Sequence, residues 1–531
     1  MNVFSVVSFV LIIVAVWLFA FKRSRGVDVT DSEGFFMGGR SLTALPIAGS
    51  IIMTNLSTEQ IVGQNGQSYV AGMEVMAWEV TAAIAIVLLA AVFLPKYFKY
   101  GINTVSDFIE IRYDTMTKRI ISALFIITYM TSFLPVVLYS GSLVFNKIFR
   151  IDELLGVRPI TSIILVSLAI GIIGIMYLLI GGLSLSANSD TVYGFGLLIC
   201  GLLVPVLGVM KLGNGNFIGG IDYIVDQTPW LLNSVGSIDS AVVPWPTLFT
   251  GMLFNNLYFW CTNQMIVQKA LSGKNLAEAQ KGAFMVGFFK VFGALFLVFP
   301  GIVARNLFGD TLLKSPDSAY PALVTAVLPE MMYGIFAAVI FGAILSSFSG
   351  ALNATSTLVS LDFYKPIINK KATDAQITRA GKMVTVIVGV ISVIVAPLIS
   401  FAPAGLYQFV QEFNGLYNMP LLVIILLAFY SKKATALSAK VTISMHIVLY
   451  ALSKVFLKDV HFLYVLSFLF FLDVLVMFLV SKWKPAGDFE LKVFNTKVDI
   501  TPWKHTKLVS IVTIVIVIVT YLAFSPVGFA R

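Results

Sequence analysis

Apolar residues run through this chain in stretches of about 20 residues, separated by short polar segments, and this alternation predicts membrane-spanning helices. Fourteen such stretches can be counted. Their approximate limits are residues 3–21, 44–66, 74–95, 120–146, 160–180, 190–210, 246–267, 283–303, 333–362, 383–402, 405–430, 434–456, 461–481 and 507–524. Each is long enough to cross the ~30 Å hydrocarbon core of a bilayer. The pattern predicts an all-α membrane protein with about 14 transmembrane helices.

Composition agrees with a membrane protein. Of the 531 residues, 58% are hydrophobic and only 12% are charged, whereas a soluble protein carries about 25% charged residues. The two cysteines, Cys200 and Cys261, lie inside apolar stretches and are too few for a disulfide framework. We expect them to be packing residues.

The basic residues are distributed unevenly between the segments that join the spans. If the N-terminus is outside, 26 of the 36 lysine and arginine residues fall in cytoplasmic segments. This bias predicts orientation, with both termini outside, and it accounts for the net charge of +9. We therefore expect no nucleic-acid partner, and no obligate protein partner is evident from the sequence; the expected partners are the solute, sodium and the lipid bilayer. The first apolar stretch, Val3 to Phe21, is predicted to be a retained span rather than a cleaved signal peptide.

Lys290 lies near the middle of the eighth span, with no other charge between Lys281 and Arg305. A charge at that depth costs at least about 2.5–3.5 kcal/mol, so it normally faces a cavity or a partner. Other spans also carry ionisable or amide residues, namely Glu79, Asp190, Asn256 and Gln411. These residues predict a polar pathway through a helical bundle.

The second span is interrupted by polar residues. Five of the six residues from Asn55 to Gln60 are polar, within an otherwise apolar stretch. Unwound backbone at that depth is tolerated only where it is buried in protein or lines water, and its carbonyl groups coordinate sodium in many transporters. The alternative is a helix-packing face with Asn and Ser side chains as hydrogen-bonding groups.

The ninth span contains the sequence Gly342-Ala-Ile-Leu-Ser346-Ser347. The two hydroxyl groups are suitable ligands for a hard cation, and the Ala343 carbonyl lies one turn earlier. Serines in membrane helices also bond their own backbone or allow close packing, and that alternative stays open.

Glu79, Asn256, Lys290 and Gln411 together offer donors and acceptors of both signs, which suits a neutral polyhydroxyl ligand. Glu79 and Lys290 also suit a structural buried ion pair, and the two roles are compatible. Asp190 has two equally weighted interpretations: a surface cap for the sixth span, or a second ion relay.

Several motifs in order make this sequence resemble the sodium/solute symporter family. They are Gly34-Phe-Phe-Met-Gly-Gly-Arg40, Asn55-Leu-Ser-Thr-Glu59-Gln60, Gly181-Gly-Leu, Asn256-Leu-Tyr-Phe-Trp260, Glu278-Ala-Gln-Lys281-Gly, Leu345-Ser-Ser347, Leu352-Asn353-Ala-Thr-Ser-Thr and Val410-Gln411-Glu412-Phe-Asn-Gly415. The resemblance runs from about Gly34 to Lys433. It is strongest to the bacterial sodium/glucose and galactose cotransporters and to the YidK-like symporters.

The resemblance implies a LeuT-type core of two inverted five-helix repeats whose first helices, spans two and seven, are broken. The repeats would be residues 44–211 and 246–430. Residues 1–43 would be an extra span with a cytoplasmic linker, 212–245 an external loop, and 431–531 three peripheral spans.

The resemblance also implies site residues. The sodium ligands would be the carbonyl groups of Met53, Leu56 and Ala343 and the hydroxyl groups of Ser346 and Ser347, with Asp190 at a second ion site. The sugar-binding residues would be Gln60, Glu79, Asn256, Lys290 and Gln411, with Phe259 as the aromatic gate. Three positions depart from the galactose carriers: Phe259 replaces a tyrosine, Ala82 replaces a serine, and Asn188-Ser189 precede Asp190 in place of Trp-Thr.

These features predict a symporter of a bacterial inner membrane that imports a glucose- or galactose-like sugar with Na+ by alternating access. A sodium symporter for sialate, inositol or proline is the alternative. A channel would need a continuous lined pore, and a receptor would need a soluble output domain. No nucleophile–base pair or metal cluster in the sequence indicates an enzyme.

Overall fold

The computed structural model describes residues 3–401, 406–487, 489–490 and 498–531. The helices of the first half are α1 (Val3–Ser24), α2 (Ser32–Met37), α3 (Ala44–Asn55), α4 (Thr58–Ala71), α5 (Ala77–Leu88), α6 (Leu94–Lys99), α7 (Val105–Arg112), α8 (Thr115–Thr128), α9 (Leu134–Phe149), α10 (Ile151–Leu155), α11 (Pro159–Leu212), α12 (Phe217–Gln227), α13 (Gly251–Thr262) and α14 (Gln264–Leu271).

The helices that follow are α15 (Leu276–Gly293), α16 (Phe299–Phe308), α17 (Ala319–Val327), α18 (Tyr333–Leu358), α19 (Asp374–Val395), α20 (Leu406–Asn414), α21 (Asn418–Tyr430), α22 (Ala436–Phe456), α23 (Phe462–Trp483) and α24 (Thr506–Ala523). Short 3-10 segments cover Gly38–Arg40, Gly72–Met76, Pro229–Leu232, Trp245–Phe249, Pro316–Ser318, Glu330–Met332 and Ala396–Phe401. Wider π turns cover Leu89–Phe93, Tyr129–Phe133, Ala294–Val298 and Val359–Ile368. The described chain is thus nearly all helical, as predicted.

Ten helical stretches of the described residues are long and apolar enough to cross a membrane, or eleven if the bent pair α20 and α21 counts as one span. The predicted number of fourteen is not confirmed by this measure. Part of the difference arises because α11 counts as one stretch, although its backbone is non-helical at Gly182 (φ 54°, ψ −151°). This kink separates two helical segments where the sequence predicts spans five and six. The 54 residues of α11 would extend about 80 Å as a straight helix, far more than one bilayer core. The predicted span limits at residues 402 and 405 lie outside the described part, as do Lys492 and Lys497, two of the 26 basic residues assigned to cytoplasmic segments.

The second span is broken at the predicted place. Helix α3 ends at Asn55, and Leu56 (ψ 71°) and Ser57 (ψ 172°) leave the helical conformation before α4 begins at Thr58. Polar residues with short side chains favour such ends because they offer the backbone alternative hydrogen bonds. The break therefore exposes backbone groups at the centre of a buried segment.

The seventh span is broken too, between α13 and α14. Asn263 has extended backbone (φ −71°, ψ 127°), and its side-chain oxygen accepts a hydrogen bond of 3.0 Å from the amide of Met265. An asparagine in this position caps the second half-helix. The two breaks fall in the spans that the sequence predicts to open the two repeats.

Helix α15, which carries Lys290, is fixed at its start against the first broken helix. Asn275 caps it by accepting a hydrogen bond of 2.9 Å from the amide of Glu278. The Glu278 carboxylate accepts one of 2.8 Å from the amide of Ala44, the first residue of α3. These contacts position α15 beside α3 and α5.

Candidate functional site

Glu79 and Lys290 form a buried ion pair between α5 and α15. The ammonium Nζ lies 2.5 Å from Glu79 Oε2. The other carboxylate oxygen, Oε1, accepts hydrogen bonds from the side-chain amides of Gln60 at 2.6 Å and Gln64 at 2.8 Å. Glu79 is 0% exposed and Lys290 is 1% exposed. Three of the residues predicted for a sugar site thus share one sealed network.

A glycine and an aromatic ring pack closely around this ion pair. A Cβ atom on Gly293, one turn after Lys290, would lie only 2.8 Å from Glu79 Oε2, so a larger residue there would collide with the carboxylate. The Lys290 ammonium also lies 5.3 Å from the centre of the Trp260 ring, within cation–π range. The structure contains the ion pair that the sequence allowed, and the sugar-binding role stays a prediction.

Gln64 was missed by the sequence analysis, although it belongs to this network. It lies one helical turn after Gln60, so the two amides share a face of α4. Its amide oxygen is buried and has no hydrogen-bond partner among the described residues, and the same is true of the indole Nε1 of Trp78. Because buried polar groups are normally paired, these two atoms are groups that a ligand can satisfy. The four-residue spacing was the signal that could have identified Gln64.

The remaining predicted sugar-binding residues make other contacts, and none of their described hydrogen bonds is to Glu79 or Lys290. Asn256 donates a hydrogen bond of 3.2 Å to the carbonyl of Met252 in its own helix. The Phe259 ring packs edge-on against Trp260, at 5.3 Å between ring centres. Gln411 on α20 accepts a hydrogen bond of 3.3 Å from Asn255, a residue that the sequence analysis did not single out.

The predicted sodium ligands meet where the break after α3 faces α18. The Ser347 hydroxyl donates to the carbonyl groups of Met53 at 3.1 Å and Thr54 at 3.0 Å. The Ser346 hydroxyl lies 3.2 Å from that of Thr54. Carbonyl and hydroxyl oxygens this close together are the donor set that broken helices of transporters offer to sodium.

The other two predicted sodium ligands are also buried. Leu56 is the first residue of the break, and Ala343 precedes Ser346 and Ser347 by one turn of α18. Both residues are fully buried. The oxygen-rich set fits a hard monovalent cation, and the coordination itself stays a prediction.

Asp190 is not a surface cap, and that interpretation is wrong. It lies well inside α11, eight residues after the kink at Gly182, and is 2% exposed. Its Oδ2 accepts a hydrogen bond of 2.8 Å from the Ser50 hydroxyl and lies 3.5 Å from the Lys269 ammonium. The second segment of α11 begins at the kink, about two turns before Asp190, so Asp190 does not lie at its N-terminus.

Lys269 requires a second correction. Lys269 is one of the 26 basic residues that the sequence assigns to cytoplasmic segments, but it lies in α14 and is 1% exposed. The nearby Lys274 made it look like part of a basic loop. Lys269 and Asp190 therefore form a buried lysine–carboxylate pair next to the predicted sodium ligands.

Comparison with known proteins agrees with these features. The sequence pattern of the sodium:solute symporter family matches residues 35–443. The chain is 42% identical to the uncharacterized symporter YidK of Escherichia coli, over 99% of this chain and 92% of YidK. It is 29% identical to the sodium/glucose cotransporter of Vibrio parahaemolyticus, over 81% of each chain. It is 27% identical to the human sodium/myo-inositol cotransporter, over 90% of this chain and 72% of the relative.

Two solved structures share the fold. The substrate-bound outward-open structure of a Na+-coupled sialic acid symporter matches with a TM-score of 0.77 at 19% identity, over 92% of this chain and 100% of the other. Mhp1, a nucleobase-cation-symport-1 family transporter in a closed conformation, matches with a TM-score of 0.56 at 14% identity, over 89% and 97%. The chain belongs to the sodium:solute symporter family: it is a multi-pass membrane transporter, not an enzyme, that couples the movement of a small solute to sodium.

Proposed function

We propose that this symporter imports a neutral sugar of the glucose or galactose type across the bacterial cytoplasmic membrane, with both termini outside. In this proposal residues 44–211 and 246–430 are the inverted repeats that alternate access to the site, while residues 1–43, 212–245 and 431–531 lie outside the repeats. The observation that carries the choice of substrate is the network of Glu79, Lys290, Gln60 and Gln64.

The charge of this network favours a neutral ligand. The Lys290 ammonium is neutralised by Glu79, so an anionic solute would meet a carboxylate already in place. A sugar hydroxyl can donate to that carboxylate and accept from an amide or ammonium, so it matches both signs of group. The unpaired oxygen of Gln64 and the indole NH of Trp78 add one acceptor and one donor.

The relatives support the same class of substrate. Two relatives are named as cotransporters of glucose and of myo-inositol, and both of these solutes are neutral polyhydroxyl compounds. Phe259 and Ala82 offer the ligand no hydroxyl group, so contacts at these positions would be apolar. We expect these two positions to affect which sugar is preferred.

Sodium would bind at the contact between the broken α3–α4 helix and α18, through Met53, Leu56, Ala343, Ser346 and Ser347. This break also sets the position of the first turns of α4, where the sugar-site amides lie. Sodium that orders the break would therefore fix the substrate site as well. Linkage requires that sugar in turn raises the sodium affinity by the same factor.

The driving force is adequate for accumulation. One sodium ion that moves down a 100 mV potential and a tenfold concentration gradient releases about 3.7 kcal/mol. That free energy supports a sugar gradient of several hundred-fold.

The test is uptake into proteoliposomes with and without an inward sodium gradient. Radiolabelled glucose, galactose, myo-inositol, sialate and proline form the panel. We expect sodium-dependent uptake of a hexose, with no stimulation by an equal potassium gradient. Uptake confined to sialate or proline would refute the sugar assignment.

A pair of variants links that uptake to the site. Gln64→Leu removes a buried amide that bonds Glu79, and we expect the half-saturating sugar concentration to rise about tenfold, as for a lost buried hydrogen bond. Gln67→Leu is the matched control, because Gln67 lies on the same helix, while the amides that bond Glu79 belong to Gln60 and Gln64. Equal effects of both changes would argue against a specific role for Gln64.

A further inference from the structure

Lys269 is surrounded by oxygen atoms deep in the protein. Its ammonium donates to the Ser50 hydroxyl at 2.7 Å, to the Ser50 carbonyl at 3.1 Å and to the Thr54 hydroxyl. Asp190 Oδ2 lies 3.5 Å away. An ammonium has three donors and no acceptor, so these four oxygens account for all of its hydrogen-bonding capacity.

The same oxygens have the character of a site for a monovalent cation. Three are neutral hydroxyl or carbonyl oxygens, and the fourth belongs to a buried carboxylate. The Ser50 hydroxyl donates to Asp190 at 2.8 Å and accepts from Lys269, so it joins the carboxylate to the ammonium. A buried carboxylate needs a positive partner, and the chain itself supplies one here.

This cluster adjoins the proposed sodium site. Thr54 bonds the Lys269 ammonium and also lies 3.2 Å from the hydroxyl of Ser346, a predicted sodium ligand. The packing is close: a Cβ atom on Gly350 would lie 3.0 Å from the Thr54 hydroxyl and 3.5 Å from Lys269 Cε. The glycine leaves room for the lysine side chain between α3 and α18.

We propose that the Lys269 ammonium is a built-in cation that occupies a second ion site formed by Ser50, Thr54 and Asp190. The chain then binds one exchangeable sodium ion, because like charges repel and a second sodium would have to displace a tethered ammonium. This inference rests on the proposed sodium site for its account of the first ion. It predicts that removal of the ammonium opens the second site to sodium.

Sodium stoichiometry tests the proposal directly. Equilibrium binding of radiolabelled sodium to the purified full-length protein would be counted per chain, in choline chloride. We expect one sodium for the wild type and two for Lys269→Met, since methionine keeps the length and removes the charge. The Lys269→Arg variant retains a cation and should bind one.

Two further proteins serve as controls. Lys281→Met removes an exposed lysine that pairs with Glu278, and its count should equal the wild-type count. The neutral double variant Lys269→Met with Asp190→Asn has no buried charge at this site, and its count should also equal the wild-type count. A gain of one sodium in Lys269→Met that the double variant reverses supports the proposal.

Several results would overturn it. One is a Lys269→Met protein with no sodium gained over the wild type, and another is a wild-type protein that binds two ions. If Lys269→Met does not fold, the wild type and the double variant decide: a double variant that binds one sodium fewer than the wild type shows that Asp190 already holds sodium. Failure of the proposed sodium site has a different signature, because Ser347→Ala would then leave wild-type binding unchanged whatever Lys269→Met gains.

Discussion

The buried pairs Lys290–Glu79 and Lys269–Asp190 are built differently. Lys290 and Glu79 touch at 2.5 Å, and two side-chain amides add hydrogen bonds to the carboxylate. Lys269 and Asp190 are 3.5 Å apart, and the closest partners of that ammonium are neutral oxygens of α3.

The two ammonium groups differ in how many of their hydrogen-bond donors are already used. In the first pair, the ammonium has one carboxylate contact and the face of Trp260, so donors are left for a ligand. In the second pair, Ser50, Thr54 and Asp190 satisfy the ammonium completely. This contrast is the basis for our proposals of ligand binding at the first pair and cation replacement at the second. In both proposals the role of the lysine depends on the oxygens around it.

The largest expected effect comes from breaking the first pair with Lys290→Met. The change leaves the Glu79 carboxylate unpaired in a dry site, which costs about 3–5 kcal/mol. The yield of monodisperse protein should fall sharply, and the double variant with Glu79→Gln should restore it. If Lys290 also binds sugar, the recovered double variant should still fail to transport.

The matched control for this change is Lys281→Met on the same helix. Lys281 is 38% exposed and pairs with Glu278 three residues earlier, so its loss should cost about 0–1 kcal/mol. If the Lys290→Met protein binds sugar with wild-type affinity, Lys290 does not bind the substrate.

A second prediction concerns the sodium site beside the Lys269 pair. Ser346→Ala and Ser347→Ala should each raise the half-activating sodium concentration for uptake about tenfold, as expected for one lost oxygen ligand worth about 1.4 kcal/mol. Ser356→Ala is the control, because its hydroxyl bonds only its own helix at Asn353. Wild-type sodium activation in both variants would show that the site is misassigned.

A smaller effect is expected from Gln411→Ala. The Gln411 amide would bind a sugar hydroxyl and not the ion, so its loss should weaken sugar affinity by about 1 kcal/mol, roughly fivefold. Sodium affinity measured without sugar should hardly change. Gln408→Ala, which breaks a bond to Glu412 on the same helix, provides the comparison. Equal losses for sugar and sodium would indicate a packing role instead.

The smallest effect is expected at a surface pair outside the membrane spans. Burial tends to raise the pKa of Asp114, but the Lys440 ammonium at 2.6 Å and hydrogen bonds from Thr117 outweigh it, so the pKa is lowered. This pair stabilises the folded state above the ordinary carboxyl pKa of 3.8, and the contribution is lost as the pH falls through the lowered value. Asp114→Asn should cost about 0.2–1 kcal/mol at pH 7, measured by thermal unfolding, with no difference from wild type in strong acid. A cost as large as that of Lys290→Met would contradict the contrast between surface and buried pairs.

Much of the fold was predictable because its signals are local. The apolar stretches predicted a helical membrane protein, and the polar run from Asn55 to Gln60 predicted the break that the structure has at Leu56 and Ser57. The kink of α11 at Gly182 likewise lies between the predicted spans 160–180 and 190–210. The number of spans was less predictable, because short or bent helices such as α3 and the pair α20 and α21 do not pass a test of length and hydropathy as single helices.

The site residues were predictable where a polar group is isolated in an apolar segment. Lys290 satisfied that condition. Lys269 did not, because Lys274 follows closely and the segment looked like a basic loop. Gln64 was obscured because α4 carries several amides, and only its contact with Glu79 distinguishes it from Gln67.

Sequence alone determined the membrane class, the family and the polar residues at membrane depth, because hydropathy and short motifs depend on neighbours along the chain. Only the tertiary structure decided which polar groups meet. Glu79 and Lys290 are 211 positions apart, and Ser50 and Lys269 are 219 apart. Such pairs are set by the packing of distant helices, where each buried charge must find a partner. The partners of Lys269 lie on distant helices, so its burial is evident only from the folded chain.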